Sequence, residues 1–232
     1  MTLDKTANKI GKMFDDISGS YDFLNHFFTL GLDLHWRRKI RKYVIKNKIL
    51  KNHLLDLASG TGDLTVQFLK LKPDILFSCD ISEKMLSIQR KKINDEKLNI
   101  INASAEKLPF ENEYFDVTGI AFGIRNFDNI EMSLKEINRT MKKGGYLIIL
   151  DMFNNKSAVT KFFDVYFSRI IPALGNLISR SKHRAYNYLY NSVKTFYTKE
   201  EFIDLLEKHN FKLVKVKTNF LNFVHTFYFR RM

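Results

Sequence analysis

The 232-residue chain is short of several things, and each shortage excludes something. It has one cysteine, Cys79, so no internal disulfide can form, and no CxxC or Cys/His cluster points to zinc or another metal. Proline is scarce at 3 residues, and no Gly/Ser linker, low-complexity tract or internal repeat divides the chain. The N-terminus, MTLDKTANKIGKMF, lacks an apolar run of signal-peptide length. No window reaches the ~18 consecutive apolar residues of a membrane-spanning helix. These absences predict a soluble, cytoplasmic protein. Acidic residues are the minority, 25 against 38 lysines and arginines, for a formal charge of +13. That excess fits attraction to nucleic acid or to an anionic membrane surface. It also fits compositional drift, because the basic residues are scattered. The densest stretches are HWRRKIRK at 35–42 and SRSKHR at 179–184.

What is present is a 45% hydrophobic chain, enough for one sizeable core with an appended subdomain. Residues 1–48 carry helical spacing. After them, strand-like and helix-like segments alternate. HLLDLA, ILFSCD, LNIINAS, YFDVTGIAF and YLIILDMF read as strands. DLTVQFLKL reads as a helix ended by Pro73, and SEKMLSIQRKKI as a helix capped by Ser82. NIEMSLKEINRTM reads as a helix closed by Gly144-Gly145. Residues 156–194 read as helical and rich in aromatics. Thr198 and Glu201 form a capping box for the helix TKEEFIDLLEKHN, and the remaining residues suggest an antiparallel hairpin. The pattern predicts an α/β fold: a doubly wound, mostly parallel seven-stranded sheet ending in an antiparallel C-terminal hairpin.

In such a sheet ligands bind where the strands end. The first such place is LLDLASGTGDLT, residues 54–65. Gly60 and Gly62 let the backbone approach a ligand closely, and the following helix offers unpaired N–H groups. Asp80 ends the second strand, eighteen residues past Gly62, where a carboxylate can accept ribose hydroxyls. A dinucleotide turn would have a third glycine where Thr65 stands, and no lysine is placed for a pyrophosphate. Asp63 would repel a phosphate. A phosphate-free, sulfonium-bearing nucleoside, S-adenosylmethionine, fits these residues.

The chain resembles the quinone C-methyltransferases of menaquinone and ubiquinone biosynthesis over nearly its whole length. The resemblance is carried by MFDDISGSYDFLNHFFTLGLDLHWRR, LDLASGTGDLT, AEKLPFENEYFD, AFGIRNFDN, RTMKKGGYLIILD and AYNYLYNSVKTFYTKEEF. Asp33 stands where many members carry histidine, and Asp151 where they carry glutamate. The resemblance implies an N-terminal helical cap (1–50), a cofactor-binding core (51–153), a helical lid (154–197) and a C-terminal helix and hairpin (198–232). It implies S-adenosylmethionine contacts at Thr61, Asp80 with Ile81, Ser104, Ala105 and Ala121, beside the Gly60–Gly62 turn. Tyr21 is similar to a tyrosine that closes over the cofactor in related folds, or is a core tyrosine. Phe122, Tyr188 and Asp22 are the implied substrate contacts.

In that reaction a methyl passes from sulfur to a ring carbon of a quinol, which becomes nucleophilic when a neighbouring hydroxyl loses its proton. The enzyme must align the reactants and handle that proton. Arg125 could stabilise the quinolate oxygen or orient a water that Asn126 holds, or Arg125 could instead pair with Asp128 and fix the loop. His26 is a further candidate, or a surface histidine. Phe162, Phe163, Tyr166, Phe167 and Tyr186 suggest core packing or an apolar slot for a polyprenyl tail. The expected partners are a polyprenyl quinol and weak contact with an anionic membrane at its inner face; no nucleic acid is expected. Two other classes compete. One is a methylase of another small molecule or of RNA. Against it, no NPPY-like element follows the fourth strand, and Cys79 lies inside a strand. The other is a non-enzymatic binding module, which the intact glycine turn and Asp80 oppose. The Asp33 variant leans toward menaquinone.

Overall fold

The structure, a computed structural model, describes residues 11–16, 18, 26, 29, 31–154, 188, 191–219 and 222–232. In chain order the elements are α1 (Leu32–Lys46), β1 (His53–Leu57), α2 (Asp63–Leu69), β2 (Ile75–Asp80), α3 (Glu83–Lys92), β3 (Leu98–Asn102) and β4 (Phe115–Ala121). A 3-10 turn at Ile124–Asn126 follows, then α4 (Ile130–Thr140), β5 (Met141–Met152), α5 (Lys199–Lys208), β6 (Phe211–Thr218) and β7 (Val224–Arg231). The strands form one sheet in the order β3-β2-β1-β4-β5-β7-β6. The first five are parallel, and β7 inserts antiparallel between β5 and β6. The strand order reverses between β1 and β4, which opens a crevice at their C-terminal ends.

Alternation along the strands sorts side chains onto two faces. Leu55, Leu57, Leu147, Ile149, Phe227 and Phe229 pack into one core. Leu54, Ile148, Leu150 and Tyr228, their neighbours in sequence, pack into the other with Trp36, Ile40 and Phe68. Both faces are therefore covered. Gly119 of β4 lets α2 settle onto the sheet, since a Cβ there would lie 2.5 Å from Phe68 and 2.9 Å from Leu64. The caps read from the sequence form: Ser82 accepts the Met85 amide, and Thr198 and Glu201 make both bonds of a capping box.

Three sequence expectations change. The N-terminal helical stretch is interrupted at Gly31, at φ 72, and α1 begins after it. Gly144 and Gly145 do not close α4, which ends at Thr140; both lie inside β5. Gly144 has φ 76, and a Cβ on Gly145 would meet the carbonyls of Lys142 at 2.9 Å and Asp116 at 3.0 Å, so these glycines let β5 bend against β4 where the register shifts. The helix before Pro73 stops at Leu69. The lid aromatics Phe162, Phe163, Tyr166, Phe167 and Tyr186, with the basic run 179–184, lie outside the described residues, as do Tyr21 and Asp22.

Candidate functional site

The turn after β1 is built on left-handed backbone. Ala58, Gly60 and Gly62 have φ of 56, 55 and 91. At Gly62 a Cβ would lie 2.7 Å from Ile93 and 2.8 Å from Gln89, so helix α3 presses against this glycine. Beneath the turn runs a buried polar chain. Thr65, where a dinucleotide turn would have its third glycine, donates to Asp56 at 2.5 Å and accepts from Gln89 at 2.9 Å. Gln89 in turn accepts from Ser59 at 3.2 Å and from Ser78 at 3.0 Å. Burial pushes the Asp56 carboxyl up to about 7, against the pull of Thr65 and Arg37.

Asp80 ends β2 and joins this turn to the next. One carboxylate oxygen accepts the Gly60 amide and the other the Ser82 amide, both at 2.8 Å. Burial raises its carboxyl, and the amides of Ser82 and Gly60 oppose the rise. Asp80, Ile81, Gly60, Ser104, Ala105 and Phe122 all line one cleft that opens to solvent. Thr61 is buried beside Gly60, and Ala121 ends β4 next to Phe122. The far wall is pinned by Glu106, which accepts from Ser104 with one oxygen and from Asp128, Asn129 and Ser133 with the other.

The cleft's charge is unlike that of the chain. Among the described residues lining it are Asp80, Glu106 and Asp128, and no lysine or arginine. Such acceptors suit ribose hydroxyls and a cationic sulfonium, and lack the counter-charge that a phosphate needs. Cys79 also lines the cleft; burial pushes its thiol up to about 12, and it donates to the Ala103 carbonyl.

At the end of β4, Phe122 adopts φ 62 and Gly123 packs against the turn after β1. A Cβ on Gly123 would lie 2.4 Å from that of Ala58. Asn126 lines the cleft, and Tyr188 donates to its carbonyl oxygen at 3.2 Å. Arg125 is buried, and its guanidinium does not take the expected partner Asp128. It pairs with Asp151 at the end of β5, while the Asp128 amide goes to Glu106. Asp151 was missed as a site residue, although it bears the same signal as Asp80: a lone acid ending an apolar strand.

His26 stands apart from the residues lining the cleft. Its Nδ1 lies 2.9 Å from Asp33, and its Nε2 lies 3.9 Å from Asp63. Asp33 is fully buried and also bonds Arg37 and Thr29, while Asp63 pairs with Lys92 at 2.6 Å. Burial alone would raise the Asp33 carboxyl, but Arg37, His26 and Thr29 outweigh it and hold it below the usual range. The three groups could enclose an ion, yet their oxygens already serve these cations and hydroxyls. HWRRKIRK is likewise less exposed than its charge suggests, because Trp36, Arg37 and Ile40 are buried in α1.

A sheet of this order, with a glycine turn after β1 and an acid ending β2, is the fold of the Rossmann-like methyltransferases. A solved S-adenosylmethionine-dependent methyltransferase from Thermotoga maritima shares the fold with a TM-score of 0.62 at 20% identity, covering 96% of this chain and 100% of its own. One from Aquifex aeolicus matches with a TM-score of 0.60 at 17% identity, covering 83% and 89%. The chain belongs to the ubiE/COQ5 methyltransferase family, whose model matches residues 2–226. It is 36% identical to a demethylmenaquinone methyltransferase of Chlorobaculum tepidum, over 90% of this chain and 86% of that protein. It is 33% identical to a ubiquinone/menaquinone biosynthesis C-methyltransferase of Campylobacter jejuni, over 90% and 92%.

Two expectations follow from the geometry. Because Asp80 must accept two backbone amides, Asp80→Asn should be nearly as harmful as Asp80→Ala. Asparagine offers one acceptor and turns a donor toward an N–H, so S-adenosylmethionine affinity measured by calorimetry should fall by about 1–3 kcal/mol. Unchanged affinity would remove Asp80 from the site. Gly123→Ala should lose about 1–3 kcal/mol of stability by overpacking, and Ala58→Gly should restore part of it in a denaturant double-mutant cycle. Additive losses would show that the two turns do not press on each other.

Proposed function

We propose that this methyltransferase transfers a methyl group to a ring carbon of a polyprenyl quinol, converting demethylmenaquinol to menaquinol. The observation that supports it most is the element Phe122–Asn126, specific to the resemblance. It ends β4 at the cleft, beside the Asp80 wall. When bound, S-adenosylmethionine would supply an electrophilic methyl on sulfur. The protein's part is to hold, orient and manage a proton. Asp80 would receive ribose hydroxyls, Ser104 and Ala105 the base edge, and the Gly60–Gly62 turn with Thr61 the amino-acid end. Ile81 and Ala121 would pack beside them, and Tyr21 would close over the ligand. Phe122, Tyr188 and Asp22 would face the quinol. Asn126, with Arg125 behind it, would hold the hydroxyl that ionises; His26, backed by Asp33, is the other candidate proton acceptor. The Campylobacter jejuni relative's name covers both quinone pathways, so a benzoquinol is the second reading.

Quinone profiling tests this. In a bacterial host deleted for its own quinone methyltransferase, the chain should convert accumulated demethylmenaquinone to menaquinone, and an Arg125→Ala variant should not. Persistence of demethylmenaquinone despite a folded, expressed chain would overturn the reading. Restoration of the benzoquinone alone would select the second.

A tail-bearing substrate also calls for transient membrane contact. No described helix is long and apolar enough to cross a membrane. Lys215 and Lys217 of β6 lie near Lys39 and Lys46 of α1: burial first, then these three neighbours, lower the Lys217 ammonium. The crowding of positive charge at Lys217 would be relieved by anionic lipid. The chain should sediment with anionic vesicles at low salt, less at high salt, and little with neutral ones. Negligible binding throughout would leave the charge to composition.

A further inference from the structure

Asp151, the buried partner of Arg125, is the acid of the site that the reaction outlined above leaves unused. Asp151 ends β5, is fully buried, and receives the Arg125 guanidinium and the Met152 amide on one oxygen. Among the described residues, its other buried oxygen meets no hydrogen-bond donor. Arg125 in turn belongs to the 3-10 turn that carries Asn126 into the cleft. Asn126 accepts from Tyr188, which belongs to the segment between β5 and α5. One line of contacts thus runs from the end of β5, through the end of β4, to that segment.

Burying two charges costs desolvation that their attraction only partly offsets, so such a pair adds little net stability. A guanidinium matched by an adjacent carboxylate carries little net charge toward a third group. Arg125 is therefore poorly placed to stabilise a quinolate by charge alone, whereas it is well placed to be held still. We propose that Asp151 is a positioning residue for methyl transfer: it clamps Arg125, and through Arg125 sets Asn126 and its bond to Tyr188, the wall against which the quinol ring must lie. The inference rests on the quinol-methylation reading.

The groups facing Asp151, among the described residues, are Arg125, Tyr188 and its cross-strand partner His225. Burial first, and Lys199 second, lower His225 to about 4, so it stays neutral through the working range. Burial pushes Tyr188 up to about 12. Burial also raises the Asp151 carboxyl, against the pull of Arg125. The clamp is then intact when Asp151 is ionised and released as pH falls and the carboxyl gains a proton.

The experiment measures turnover, quinol KM, cofactor affinity and the pH profile for the full chain and for Asp151→Asn and Asp151→Glu. Asp151→Asn should lower kcat ~10-fold or more while S-adenosylmethionine affinity stays within about twofold, and should lose the acid limb of the wild-type profile. Asp151→Glu keeps the carboxylate and the limb, with kcat between the two. Should Asp151→Asn not fold, Asp151→Glu carries the test: its longer reach must lower kcat several-fold at unchanged cofactor affinity. Turnover of Asp151→Asn that is unchanged or raised would overturn the proposal, since an unmatched Arg125 would then serve as well or better. A parallel loss of cofactor affinity and turnover would also overturn it, by making Asp151 merely structural. A wild-type chain without quinol-methylating activity would overturn the proposal together with the reading beneath it, whereas an active wild type with an unaffected Asp151→Asn would overturn the proposal alone.

Discussion

Asp80 accepts the Gly60 amide with one carboxylate oxygen and the Ser82 amide with the other, and the geometry of the cleft depends on that pair of bonds. Parallel strands end in turns whose amides have no partners in the sheet. A carboxylate at the end of β2 supplies two acceptors at once and fixes the turns after β1 and β2 relative to each other. The rest of the first wall follows from this. With Gly60 held, Gly62 can take its left-handed φ under Gln89 and Ile93, and Gln89 can gather Ser59, Ser78 and Thr65 into one buried network. Burying so many polar groups is tolerable because nearly every one is paired.

The second wall is organised differently, by charge pairs at strand and helix ends. Arg125 and Asp151 lock the end of β4 to the end of β5, and Asp33 with Arg37 locks the start of α1. Such pairs add little net stability, because desolvation offsets attraction, but losing one partner strands the other. Their value is positional. Glu106 does related work with backbone donors, tying Ser104 to the loop at 128–133. The contact between Ala58 and Gly123 closes the gap between the two walls, leaving no room for a side chain at Gly123.

A chain of net charge +13 thus carries a cleft lined by carboxylates and apolar groups, with no described lysine or arginine. The excess positive charge lies elsewhere, on α1, on β6 and along the remaining surface. The separation matters chemically: the described lining of the pocket offers carboxylates and not the cations that a phosphate needs.

Much of this was legible in the sequence, for physical reasons that can be named. Period-2 and period-3.6 alternation reports which face is buried, so the seven strands, the parallel core and the C-terminal hairpin could be read directly. Ser82, Thr198 and Glu201 act on their own neighbours in the chain, so their caps could be read too. Gly60, Gly62 and Asp80 follow from a local requirement, a tight turn and an acid at a strand end. Contacts between distant segments were beyond reach. Whether Gly144 and Gly145 end a helix or bend a strand depends on the register of β4 against β5. That Arg125 meets Asp151 rather than the nearer Asp128 depends on two strands lying side by side, and that His26 meets Asp33 and Asp63 depends on where α1 crosses α2. Local periodicity determined the elements, and the glycine turn and the strand-end acid marked where a ligand site would lie. The tertiary structure decided which charges face each other, because partner choice is set by packing, which joins Arg125 to Asp151 at a separation of 26 positions, and not by neighbourhood along the chain.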